Sequence, residues 1–414
     1  MLGKSQRKRT LAKPAPRKSL AGGGGRILTT HVGSLIRPVE LQELLKARRD
    51  SQAYDKAAFD ACLHDCVADV VRKQADIGLD IINDGEYGKT ISWSRYVLQR
   101  MSGFEQRERP GETGMPAAVA GRDRREFAAF YADYDHQQGF SGMTGWTLTG
   151  PIRYTGHAAI ERDIANFKAA AKGAQTADLF MAAVAPASVA PDRDDEYYKS
   201  DEEYVFAVAD ALHEEYMAII DAGLILQVDD AYLAHTYEVM VPPKTLKDYR
   251  KWAAPSIEAL NHALRGLPEE RTRYHVCWGS WNGPHAFDVE LKDIVDLVLK
   301  VRVGGYLLEM ANPRHEHEWR VWEKVKLPKG RKLIPGVISH QTNVVEHPEL
   351  VAERLVRLAK LVGRDNLIAG TDCGFAQGPF VQRVHPSIMW AKLRALVEGA
   401  RLGSKQLWAR RAAA

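Results

Sequence analysis

The feature that most limits what this chain can become is a repeated alternation of short apolar runs with longer segments of helical periodicity. Strand-like runs cover residues 27–34, 80–86, 146–154, 178–186, 223–230, 273–278, 305–310, 333–339 and 366–373. Helix-like stretches at 38–50, 55–77, 200–222, 288–303 and 347–362 lie between them. Strands that alternate with helices build parallel βαβ units, because parallel neighbours need a long crossover. Nine runs are one more than a (β/α)8 barrel holds, and the run at 146–154, beside a polar irregular stretch at 105–146, is taken as the peripheral one. Nearly every run ends in side chains able to do chemistry: Gly33 and Ser34, Asp84 and Glu86, Asp229 and Asp230, His275 and Cys277, Glu309, His340, Cys373. Barrel enzymes carry their active sites at the C-terminal ends of their strands. The pattern therefore predicts the α/β class, a (β/α)8 TIM barrel with an insertion. An open doubly wound sheet is the competing architecture, but no Gly-x-Gly-x-x-Gly follows the first run, so a dinucleotide site is unsupported.

Charge separates the chain into two parts. The formal net charge is +4, yet Lys4, Arg7, Lys8, Arg9, Lys13, Arg17, Lys18 and Arg26 alone supply +8, leaving −4 for the remainder. The basic balance belongs to a Pro- and Gly-rich stretch, read as a disordered tail over 1–25 ahead of a single catalytic barrel over 26–405. A mildly acidic body gives no nucleic-acid signal. Four scattered cysteines do not make a disulfide framework and fit a reducing cytoplasm. No apolar run reaches the ~18 residues of a membrane span, and the basic start lacks the apolar core of a secretory signal. The expected partners are small molecules, and self-association into a homo-oligomer is compatible with the composition.

The chemistry centres on Tyr274-His275-Val276-Cys277-Trp278. On a strand, residues i and i+2 share a face, so an imidazole and a thiol project together. Cys373, in Thr371-Asp372-Cys373-Gly374, and Glu309 come from two other strand ends. One nitrogen, two thiolates and a carboxylate make an acceptable tetrahedral zinc set, and the soft donors disfavour magnesium or calcium. If Glu309 is the weakest ligand, it can yield to an incoming thiol, which zinc then holds as thiolate at neutral pH. His315-Glu316-His317 forms a rival cluster, expected to lie in a solvated stretch, and His285 reads as a loop residue. Cys62 and Cys66, spaced i, i+4 on an apolar helix face, read as buried free thiols.

These residues resemble cobalamin-independent methionine synthase. His275-Val276-Cys277, Glu309 and Thr371-Asp372-Cys373-Gly374 are similar to that family's zinc ligands in order and spacing. Thr29-Thr30-His31-Val32-Gly33-Ser34, Gly78-Leu79-Asp80 through Asp84-Gly85-Glu86, Gln227-Val228-Asp229-Asp230 and Gly336-Val337-Ile338-Ser339-His340 extend the likeness across 27–403. The resemblance implies zinc at the barrel mouth with a homocysteine-like thiol and a 5-methyltetrahydrofolate-type methyl donor. Gly33 and Ser34 would hold the substrate carboxylate, Glu86 and Asp229 its ammonium, and His340 would serve proton transfer. Departures accompany the match. The family's full-length enzyme has two barrels and this chain has room for the catalytic one; Asp230-Ala231 replaces Glu-Pro, and Trp278, Ser280 and Trp281 replace the residues after the zinc Cys. Single-barrel relatives include epoxyalkane:coenzyme M transferase, so addition of a thiol to an epoxide is the alternative activity. A zinc-stabilised barrel or binding module without catalysis is the alternative of another class.

Overall fold

The structure is a computed structural model in which residues 24–49, 55–108, 120–138 and 144–409 are described. The basic tail through residue 23 and parts of the insertion lie outside the described residues. Eight parallel strands form the core: β1 (Leu28–Thr29), β2 (Ile81–Ile82), β3 (Asp178–Val184), β4 (Ile225–Asp230), β5 (Thr272–Val276), β6 (Gly305–Leu308), β7 (Lys332–Ile338) and β8 (Ile368–Thr371). Their spatial order is β1-β8-β7-β6-β5-β4-β3-β2, with helices between successive strands. This is the (β/α)8 TIM barrel expected from the strand–helix alternation.

Closure between β2 and β1 comes from a few specific bonds. Asp80 N donates to Thr29 O at 3.2 Å, and Thr30 Oγ1 donates to Ile81 O at 2.9 Å. The Asp80 carboxylate accepts from Thr29 N at 2.8 Å and from both terminal nitrogens of Arg26 at 2.7 and 2.5 Å. One carboxylate thus ties the entry of the chain to the second strand.

Alternation along each strand sorts side chains into two cores. Leu28, Ile81, Phe180, Ile225, Leu307, Ile334 and Ile368 fill the barrel interior, with Cys277 and Cys373 above them. The intervening residues, among them Met181, Leu226, Val228, Tyr274, Val276, Tyr306 and Leu308, pack outward against the helices. That outer layer is recruited by amphipathic helices such as Lys56–Asp76, which starts where Asp55 accepts from Ala57 N and Ala58 N and buries Phe59, Leu63, Val67, Val70 and Val71. Burying such a stripe, at ~1.5–3 kcal/mol per large side chain, is what holds helices to the barrel. No helix among the described residues is long and apolar enough to cross a membrane.

One expectation holds and one needs correction. The run at 146–154 is peripheral as anticipated: its strand, Thr144–Leu148, pairs with Phe104–Glu108 and Asp194–Asp195 in a separate three-stranded sheet. The surrounding 105–146 segment, however, is not irregular in its described parts. It carries two strands of that sheet and the helices Arg122–Glu126 and Ala128–Gln138. Long-range contacts hold it to the barrel: Glu238 Oε2 accepts from Asp123 N at 3.1 Å and Tyr131 is buried.

Candidate metal centre and substrate cavity

β5 aims the central residues. Arg273 and His275 point inward, and Cys277, one residue past the strand, continues the ladder by donating its N–H to Asp230 O at 3.0 Å. Arg273 stays in the barrel interior, donating to Thr30 Oγ1 at 3.0 Å and lying 3.8 Å from the Phe180 ring centroid. Burial pulls its pKa down to about 9. Cys373 arrives two residues beyond β8. The donor atoms of His275, Cys277 and Cys373 lie within 4.8 Å of one another, all buried, and the two sulfurs are 3.3 Å apart.

Among the described residues neither ring nitrogen of His275 has a hydrogen-bond partner, although the side chain is buried. An unsatisfied buried polar group is costly, and a metal ion would remove that cost. Burial alone would lower the His275 pKa, but the Cys277 thiol and Asp229 raise it. The Cys277 thiol is raised well above its ordinary value, first by its contact with Cys373 and then by burial. Around the sulfurs, Ser280 Oγ donates to Cys373 Sγ at 2.8 Å and Gly279 N to Cys277 Sγ at 3.2 Å. Such outer donors orient sulfur ligands and stabilise negative charge on them. These three donors could hold a metal ion.

Glu309 stands beside this group without joining it. Its Oε1 accepts from Trp278 N at 2.9 Å and its Oε2 from Asn312 Nδ2 at 2.8 Å. Burial, then the Cys277 and Asp372 charges, pushes its pKa well above the carboxylate range. Behind it, His315 is fixed by Glu318 at 2.9 Å and Asp288 at 3.1 Å, and Asp288 also meets His285 at 3.1 Å. This buried relay corrects the expectation of a solvated His315-Glu316-His317 cluster. His315 is 3% exposed, whereas His317 faces solvent and Glu316 pairs with Arg354. His285 is a loop residue as expected, at φ 51°, but a buried one.

The turn after β2 shapes the opposite wall. Asn83 Oδ1 accepts from Gly85 N and Asp84 Oδ1 from Glu86 N, both at 2.9 Å. These bonds hold Glu86 in the left-handed region at φ 61°, a conformation that costs a non-glycine residue ~1 kcal/mol or more. Gly33, at φ 145°, allows the close approach: a side chain there would run into the Glu86 carboxylate. Ser34 Oγ likewise sits where a side chain on Gly374 would be. Glu86 already has a cation, since Lys89 Nζ lies 2.9 Å from its Oε2 and both are buried. Asp229 accepts from Gln227 Nε2 at 2.7 Å, and burial followed by the Glu86 charge pushes its pKa up to about 7.

Ser34, Glu86, Asp229, His275, Cys277 and Cys373 all face one cavity of about 300 Å³, walled by Trp93, Tyr232, His235, Trp281 and Arg383. Gly33, Glu309 and His340 are not among its lining residues. His340 is fully buried with neither ring nitrogen partnered. Burial, with Arg383 and His285 nearby, holds its pKa well below the usual value, so the ring is neutral.

Residues 183–400, just over half of the chain, match the family described as cobalamin-independent synthase, catalytic domain. The chain belongs to that family. It is 27% identical over 379 residues to 2-hydroxypropyl-CoM lyase of Xanthobacter autotrophicus, covering 85% of this chain and 88% of that protein. It is 24% identical over 349 residues to methionine synthase of Sulfolobus acidocaldarius, covering 84% and 85%. In fold it is similar to a B12-independent methionine synthase from Shewanella sp. solved in complex with selenomethionine, with a TM-score of 0.69, 21% identity, and coverage of 93% and 100%.

In this member of the cobalamin-independent synthase family, three of the four donors expected from sequence lie together and both candidate acids face the same cavity, while Glu309 stays outside the group; several neighbours were missed. Lys89 carried a signal, standing three residues after Glu86. Trp281 carried another in its replacement of family residues, and it donates to Tyr131 OH of the insertion at 2.8 Å. Arg383 and the Asp288–His315–Glu318 relay carried none.

Proposed function

We propose that the chain is a zinc-dependent S-alkyltransferase, leading with methyl transfer from a 5-methyltetrahydrofolate-type donor to a homocysteine-like thiol. The observation that carries this reading is the buried His275–Cys277–Cys373 group opening onto the cavity. Two sulfurs and one nitrogen suit zinc, which takes such ligands at ~2.0–2.3 Å and keeps an open position in catalytic sites. Zinc bound there supplies one thing, retention of the substrate sulfur as a nucleophilic thiolate at neutral pH. Everything else falls to the chain.

Ser280 and Gly279 donate to the ligand sulfurs and keep them charged. Glu309 would be the fourth ligand, and its hydrogen bonds to Trp278 N and Asn312 hold its carboxylate beside the three donors. Ser34 and the Gly33 backbone would receive the substrate carboxylate, and Asp229 with Glu86 its ammonium. His340 is the residue assigned to proton transfer near the leaving group, although it is buried outside the cavity lining. Trp93 and Trp281 exclude water from the reacting sulfur. Residues 26–405 would act as one catalytic unit, with 1–25 outside it.

One observation favours a second reading, addition of a sulfonate thiol such as coenzyme M to an epoxide. The Lys89–Glu86 pair at 2.9 Å removes the repulsion that two bare acids would exert on a sulfonate. A non-catalytic zinc barrel is disfavoured, because Cys277 and Cys373 both face the cavity. The experiment is a product assay with zinc-loaded protein: homocysteine with a panel of methyl donors scored for methionine, and coenzyme M with epoxypropane scored for the thioether. Methionine supports the first reading and the thioether the second; neither product in any combination sinks both.

A further inference from the structure

Arg383 is a charge in the cavity wall that the proposed chemistry leaves unused. It lies in the loop between Cys373 and the helix Pro386–Trp408 and lines the same cavity as both ligand sulfurs. Its guanidinium is held without being neutralised. Nε donates to Gln377 Oε1 at 2.8 Å and Nη1 to Tyr134 OH at 2.9 Å. Both partners are uncharged, and no ion pair links Arg383 to a carboxylate among the described residues. Burial, the largest influence on it, lowers its pKa, as befits a cation short of a counter-charge.

The cavity's other arginine and one of its acids have charged partners. Arg95 pairs with Asp192 at 2.6 Å and Lys89 with Glu86 at 2.9 Å. Asp230 accepts from Ser188 Oγ and Tyr274 OH at 2.7 and 2.8 Å. Nη2 of Arg383 makes no hydrogen bond to the described residues, which leaves part of its planar donor fork free. A half-buried guanidinium without a counter-charge gains when a ligand completes it, and its geometry matches the paired oxygens of an oxygen acid. The supports come from two places: Gln377 from the same loop, latched by Trp93 N to Gln377 O at 2.9 Å, and Tyr134 from the insertion helix Ala128–Gln138.

We propose that Arg383 receives a carboxylate or sulfonate carried by a substrate, so that the site selects an acidic reactant over its neutral isostere. The proposal rests on the alkyl-transfer reading for which molecules enter the cavity. The shared chemistry is an oxyanion, and it belongs either to the thiol or to the alkyl donor.

Equilibrium binding to the metal-loaded full chain decides this. The ligands are 2-mercaptoethanesulfonate, 3-mercaptopropionate, neutral 2-mercaptoethanol and 5-methyltetrahydrofolate, each measured on wild type, Arg383→Gln and Arg383→Lys. The acidic thiols are expected to bind about tenfold more tightly than mercaptoethanol. Arg383→Gln should abolish that preference and Arg383→Lys should keep part of it. If the thiol preference survives and only 5-methyltetrahydrofolate weakens about tenfold, the oxyanion belongs to the donor. The proposal is overturned when Arg383→Gln, with unchanged circular dichroism and melting temperature, binds every ligand as wild type does. Should that variant misfold, Tyr134→Phe removes one support, and its failure to weaken any acidic ligand overturns the proposal equally. Mercaptoethanol binding to cobalt-substituted wild type, read as a sulfur-to-cobalt charge-transfer band, tests the alkyl-transfer reading independently of Arg383. If that band is missing, the alkyl-transfer reading fails while the acidic-against-neutral comparison still decides this one.

Discussion

Replacing Lys89 with methionine should turn a charge-neutral wall of the cavity into one that seeks an ammonium ion. Lys89 Nζ is 2.9 Å from Glu86 Oε2, with side-chain exposures of 8% and 4%, and lies 4.7 Å from the Tyr96 ring centroid. Removing one partner of a buried pair costs about 3–5 kcal/mol, because the other charge is left uncompensated. Here the cost is compounded by Asp229, whose pKa is raised first by burial and then by Glu86. For a chain of 414 residues, that corresponds to a fall of about 4–6 °C in melting temperature. The backbone of the turn should survive, since Arg37 Nη2 donates to Glu86 O and Lys89 O at 2.6 and 2.9 Å whatever side chain residue 89 carries. Thermal melts of metal-loaded Lys89→Met with added ligands form the assay. Homocysteine or cysteamine, which bring an ammonium, should restore much of the lost stability, while mercaptoethanesulfonate should not. A variant that melts with wild type and responds alike to both kinds of thiol would refute the reasoning.

Other outcomes follow from the same geometry. Asp80→Ala strands the buried Thr29 N and Oγ1 and should lower unfolding free energy by about 2–4 kcal/mol in a denaturant titration, the exposed Arg26 contact adding little. His315, between Asp288 and Glu318, has its pKa raised from 6.5 to about 10. A raised folded pKa gives stability that is complete below 6.5 and lost as pH climbs through about 10. Wild type should therefore lose stability over that window, by up to about 5 kcal/mol, and His315→Gln should show a flatter profile in melts taken from pH 6 to 10. Cys277→Ser and Cys373→Ser should each leave the purified protein well below one zinc per chain by elemental analysis, with the fold retained.

The barrel was readable from sequence because eight strands and their helices repeat one physical pattern, and because i, i+2 spacing put His275 and Cys277 on one face. Boundaries were less readable. The first run reads as 27–34, yet β1 ends at Thr29: Thr30 N still donates to Ala369 O at 2.8 Å, and after it the backbone bonds elsewhere, with Val32 N donating to Thr371 Oγ1 at 3.2 Å and Leu35 N to Gly85 O at 3.1 Å. Metal donors carry their signal in residue type and strand position. The fixed charges around them do not. Lys89 became a partner of Glu86 only through a turn with a left-handed residue, and His315 was buried by contacts to Asp288, 27 positions away. The order in the insertion rests on pairings of the same distant kind.

The central claim is that His275, Cys277 and Cys373 hold a zinc ion that an entering thiol can reach. X-ray absorption at the zinc edge, recorded on the purified chain with and without a substrate thiol, tests it most directly. The account predicts a shell of two sulfurs with nitrogen and oxygen that gains a third sulfur when the thiol is added. A protein without zinc, or a shell that stays unchanged at saturating thiol, would contradict it.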